Sequence, residues 1–160
     1  MALVSKMLEV SILQMFNTQK GLSARDAAQK WARAYADYAQ MGQADGIPPL
    51  LTGGEALMLE NTLYSVLSGP KVATPATMAA AWAAGVVSFW NAPPVFFGPG
   101  NVITASLAMP IILPLLTASF FNNRTTPEIA AATMASTLDA ATRTVIVLIP
   151  FPTPHPTPII

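Results

Sequence analysis

The residues that could do acid–base or metal chemistry are few and far apart. His155 is the only histidine, and there is no cysteine. Two-histidine zinc sites, thiolate metal sites and disulfides are therefore excluded. His155 stands between Pro154 and Pro156 with no carboxylate near it in sequence. It reads as a solvated or interface residue rather than a general base. The carboxylates are Glu9, Asp26, Asp37, Asp45, Glu55, Glu60, Glu128 and Asp139. Asp26, Glu55 and Glu128 fall at helix starts, where a negative charge is stabilising. Asp37 is four residues from Arg33, and Asp26 is four residues from Lys30. Such spacing predicts ion pairs worth about 0.2–0.5 kcal/mol each. Nothing in the spacing of the others sets up the paired acid and base of a glycosidase. Gly98-Pro99-Gly100 is a turn, because it lacks the helix and lysine that follow a phosphate-binding loop. We expect no catalytic residue, no metal and no cofactor. The chain reads as a structural or assembly protein and not as an enzyme.

Composition points the same way. The 160 residues suffice for one domain with a sizeable core. Hydrophobic residues make up 52% and charged residues 10%, against roughly 25% charged in an average globular domain. Much of the surface must then face something other than bulk water, either other subunits or lipid. Eight basic and eight acidic residues leave no net charge. Without a basic surplus, no nucleic-acid partner is expected. Zero net charge also favours association. Glu9 and Gln14 interrupt the apolar N-terminal segment, so it does not read as a signal peptide. Of the sixteen charged side chains, fifteen lie within 6–71 or 124–139 and the last is Arg143. The chain between Lys71 and Arg124 carries none.

The elements that would position these residues are mostly helices. Apolar residues at helical intervals predict a first helix over 2–17. Ser23 and Asp26 open a second, to about residue 41, with Ala24, Ala28, Trp31, Tyr35 and Tyr38 on its apolar stripe. Thr52 and Glu55 have capping-box spacing for a third, to about residue 68. Its buried side holds Ala56, Leu59, Leu63, Val66 and Leu67. Thr74-Pro75 starts a fourth, to about residue 90, apolar on all sides and hence buried on all sides. Its alanines and Gly85 allow close backbone approach. Trp31, Tyr35, Tyr38, Trp82, Phe89 and Trp90 at this spacing read as core or interface rather than a stacking platform. A short strand is expected within 102–106. Residues 110–121 look helical after Pro114, and the two prolines Pro110 and Pro114 are expected to prevent one regular helix. Asn122-Asn123 is a turn. Thr126-Pro127 opens a last helix to about residue 142. Residues 144–149 are a β-branched strand. The tail has proline at every second position from Pro150 to Pro158. It should be an extended arm, unable to join a sheet ladder regularly. The expected fold class is mainly α, with five to six helices in one domain over 1–149. A short C-terminal strand and a proline-rich extended arm over 150–160 complete it.

Several stretches carry a family likeness. Phe89-Trp90, Ala92-Pro93-Pro94-Val95, the Gly100-Asn101-Val102-Ile103-Thr104 turn, and Leu138-Asp139-Ala140-Ala141 leading into Thr142-Arg143-Thr144-Val145 are the residues concerned. In them the chain resembles small structural proteins of tailed bacteriophages and prophages, over roughly the C-terminal half. The resemblance implies a virion role in the tail or baseplate region, assembled in the host cytoplasm. Partners would be other copies in a ring and neighbouring tail proteins. Virion subunits spend apolar surface on neighbours, and extended arms can add to a neighbour's sheet. Thr144, Val145, Ile146, Val147, Leu148, Ile149 and Phe151 are the expected inter-subunit contacts. The competing reading is a small membrane protein, such as a phage lysis factor, spanning through 102–121. That stretch has the length of a span, roughly 20 residues. Two prolines and four hydroxyl residues interrupt it, and neither flank is rich in basic residues. A third reading is a soluble chaperone of tail assembly.

Overall fold

A computed structural model describes residues 3–18, 22–70, 73–92, 97–98, 100–122, 125–150 and 152–160. The fold is mainly α, with six helices among the described residues. They are α1 (Ser5–Thr18), α2 (Ala24–Ala39), α3 (Gly54–Leu67), α4 (Pro75–Asn91), α5 (Ala108–Phe121) and α6 (Pro127–Thr142). The strands are β1 (Val102–Thr104), β2 (Ile146–Ile149) and β3 (His155–Pro158).

The helix starts follow from local chemistry. The hydroxyls of Ser23, Thr74 and Thr126 accept hydrogen bonds from the backbone N–H groups of Asp26, Thr77 and Ile129. Each satisfies a donor that a helix N-terminus leaves without a partner. At α3 only half of the expected capping box forms. Glu55 is buried and accepts from the N–H groups of Thr52 and Gly53, at 3.3 and 2.8 Å. The cap itself is Gly53, at φ 95°, with no side-chain bond.

Two expectations about proline are overturned. First, α5 runs unbroken from Ala108 to Phe121 through Pro114. Pro110 falls in the first turn, where an N–H has no helical partner to lose. Pro114 removes one ladder bond, and both prolines are exposed, so their rings clear the packed side. Second, the tail does join a ladder. β3 pairs antiparallel with β2, in the register Ile146↔Pro158, Val147↔Thr157, Leu148↔Pro156 and Ile149↔His155. Ile159 donates its N–H to the Val145 carbonyl at 3.2 Å. In an antiparallel pair the inward-bonding residues alternate. His155, Thr157 and Ile159 therefore point their N–H groups at β2, and the prolines occupy the positions whose nitrogen faces away. A two-residue proline period matches the outer edge of a strand. The first non-proline at that parity is Ile160. It exchanges two backbone bonds with Gln43, both 3.0 Å.

Each helix packs on the next in sequence, and α6 closes back onto α1. The result is a ring of six helices, with neighbours antiparallel because most connections are short. The sheet, in the order β1-β2-β3, lies at the end where α4 and α6 finish and α5 begins. There the centre of the ring is filled by Tyr35, Tyr38, Phe89, Trp90 and Phe97, all fully buried. At the opposite end many buried positions are small, among them Ala28, Ala79 and Ala131. The close approach expected of Gly85 is present. A Cβ built there would meet the Leu59 Cδ1 atom at 2.4 Å, so α3 and α4 touch through it.

Candidate assembly surface

The residues expected to bridge subunits are placed within the chain's own sheet. β2 is the central strand, paired with β1 on one side and the tail on the other. Val145, Val147 and Ile149 are buried. Thr144 caps the end of α6 by donating its hydroxyl to the Ala141 carbonyl at 2.6 Å. Ile146 is half-buried. Only Leu148 faces out, 42% exposed, opposite the 56% exposed Val102 of β1. Phe151 lies outside the described residues, as do Pro93, Pro94 and Val95 of the resemblance, Pro99 of the glycine turn and Asn123.

The larger apolar surface is on α5. This helix buries one line, Ala108, Ile112 and Leu116, spaced four residues apart. The rest of its circumference is apolar except for Thr117 and Ser119, and is mostly open. Leu107, Met109, Leu113, Leu115 and Phe121 are 39–65% exposed. Such side chains present on the order of 500 Å² of apolar surface, the size of the largest patch on a typical monomer. No charged residue lies on α5 to interrupt it. Thr117 and Ser119 are the only polar side chains of the helix, and Thr117 turns its hydroxyl back to the Leu113 carbonyl at 2.6 Å. The open side of α5 is therefore almost wholly apolar.

The polar residues, by contrast, are engaged in the fold. Trp90 donates from Nε1 to the Tyr35 hydroxyl at 2.9 Å. That hydroxyl lies 2.7 Å from the Thr142 Oγ1, which donates to the Leu138 carbonyl. Tyr38 donates to Asp139, which also accepts from Arg143 Nε at 2.9 Å. Arg143 reaches on to the Leu3 carbonyl at 3.3 Å. Burial pushes the Tyr35 and Tyr38 phenols up, and for Tyr38 the hydrogen bond to Asp139 adds to it. The Asp139 contact raises the Arg143 guanidinium further. At the start of α6, its own backbone N–H and the Thr126 hydroxyl hold Glu128 below the usual carboxylate range. Neither Asp26–Lys30 nor Arg33–Asp37 closes into an ion pair. Asp26 bonds to Ser23 instead, and Arg25 reaches across to α3, pairing with Glu60 at 2.9 Å and covering the Tyr64 ring at 4.2 Å. The fold brings His155 Nε2 to 3.6 Å from Asp45, a neighbour that sequence distance concealed. Among the described residues no cluster of three or more histidines and carboxylates could hold a metal ion.

Comparison with protein-family models, with characterised proteins and with solved structures finds no match. The α5 face was only partly legible in the sequence. The uncharged stretch announces it, but which side of α5 is open depends on packing.

Proposed function

We propose that this chain is a structural subunit that acts by packing against other proteins. On the family likeness of its C-terminal half, it is a virion component of a tailed bacteriophage, a ring-forming subunit of the tail, baseplate or neck. The observation that supports this reading is the open, uncharged outer face of α5. Its area is more than half of the ~800 Å² each partner gives to a standard interface. A face without charge has no like-charge repulsion to prevent copies of one chain from meeting side by side around a ring. The 102–121 stretch is divided between β1 and α5, and no helix among the described residues is long and apolar enough to cross a membrane.

Two measurements test it. Light scattering of the purified chain should give a multiple of the monomer mass. Leu113→Glu with Phe121→Glu should return it to a monomer that keeps its helical circular dichroism and still melts cooperatively. A wild-type chain that stays monomeric at all concentrations would sink the packing reading. Mass spectrometry of purified particles decides the virion reading. Finding the chain only in carbonate-resistant membranes, or only in free assembly intermediates, would replace it by the lysis-factor or chaperone alternative.

A further inference from the structure

The described residues do not fill the end of the helix ring away from the sheet. A cavity of ≈ 200 Å³ lies there. Every helix contributes to its wall, through Phe16, Trp31, Leu63, Trp82, Phe120 and Met134 in chain order. Trp31 is edge-on to both Phe16 and Trp82, with centroids 5.6 and 5.5 Å apart. Leu63, Trp82 and Met134 are buried and form the floor. Phe16, Trp31 and Phe120 are half-buried and form the rim. Among the described residues no charged side chain lines it.

The space follows from the composition of the ring. Small side chains at Ala28, Ala79 and Ala131 hold the helices close without supplying the volume to fill the centre. The wall is mostly apolar, and an empty apolar cavity of about 150 Å³ accepts benzene or xenon. Here the volume is somewhat larger, and four aromatic rings offer edges and faces to another ring. Methionine at the wall adapts to the shape of what enters.

We propose that this cavity is a binding site for a small uncharged apolar molecule, between benzene and naphthalene in size. Uncharged molecules are favoured, because none of the described wall residues would replace the hydration of a charge. The site is separate from the outer face of α5, and it is tested on the purified chain whatever its assembly state.

Iodobenzene is a suitable probe, since its heavy atom quenches a tryptophan it touches, and Trp31 and Trp82 both line the cavity. Titration should quench part of the emission along a saturating curve and raise the thermal midpoint by mass action. Benzoate should neither quench nor compete. Filling the cavity by Ala27→Phe, or independently by Leu67→Phe, should weaken binding about tenfold or more, in a chain that still melts cooperatively. Both positions line the wall. Linear, unsaturable quenching in the wild-type chain would overturn the proposal. So would saturable quenching that survives in whichever filled variant folds, or equal competition by benzoate.

Discussion

At the scale of single residues, the polar side chains of the core serve the fold. The Tyr35 hydroxyl is where α2, α4 and α6 meet, because it joins Trp90 and Thr142. Tyr35→Phe leaves the Trp90 indole N–H buried without an acceptor. The expected cost is about 1–3 kcal/mol, read as a lower urea midpoint at an unchanged slope. Adding Trp90→Phe in the same chain should cost less than the two single losses summed, since the donor is no longer orphaned. The two buried tyrosines also predict an alkaline limit. Both phenols are raised in the folded chain, above the ordinary value of 10.0 that they regain on unfolding. Below that value both states hold the proton and stability does not change with pH. Above it the unfolded chain releases protons that the folded chain keeps, so stability falls as pH rises. Urea midpoints measured between pH 8 and 12 should decline past about pH 10. The decline should be shallower in Tyr38→Phe, which loses one of these two raised phenols.

Among the elements, the tail is the most informative. Its prolines are compatible with a strand because they alternate in step with the outward-facing nitrogens. The parity makes a sharp prediction. Thr157→Pro puts a proline where an N–H must reach β2, and it should release the tail. Pro156→Thr changes an outward position and should leave the tail in place. Hydrogen exchange of the Val147 and Ile149 amides, or protease cleavage near residue 154, distinguishes the two. Pro156→Thr has its own expected effect. It uncovers a backbone donor on an edge strand, so association through that edge should increase. The tail is also held by Ile159, which is buried. A Cβ added at Gly42 would meet Ile159 Cγ2 at 2.6 Å and the Ala39 carbonyl at 3.2 Å. Gly42→Ala should therefore loosen the tail while leaving α2 intact.

For the whole molecule, the closed helix ring and its sheet cap divide the labour. The sheet end is packed with aromatics and tied by the tail, while the outer face of α5 is left exposed. Deleting residues 155–160 should destabilise the monomer itself, because Val147 and Ile149 lose their cover. The expected result is a lower thermal midpoint with most of the helical circular dichroism retained. A tail that served only as a contact between subunits would leave the monomer's midpoint unchanged.

Helix starts, the apolar stripe of α2, the close approach at Gly85 and the final strand were determined by the sequence alone. Each depends on residues within a few positions of one another, or on an apolar pattern that has only one side to bury. Tertiary structure alone decided the rest. Pro114 is tolerated because it falls on an open side of α5, and openness is a property of neighbours. The tail pairs with β2 because the fold brings residue 43 and residue 160 together, a matter of ring closure and not of local preference. His155 meets Asp45 for the same reason. The cavity exists only because six helices, each contributing a modest gap, are arranged around a common axis.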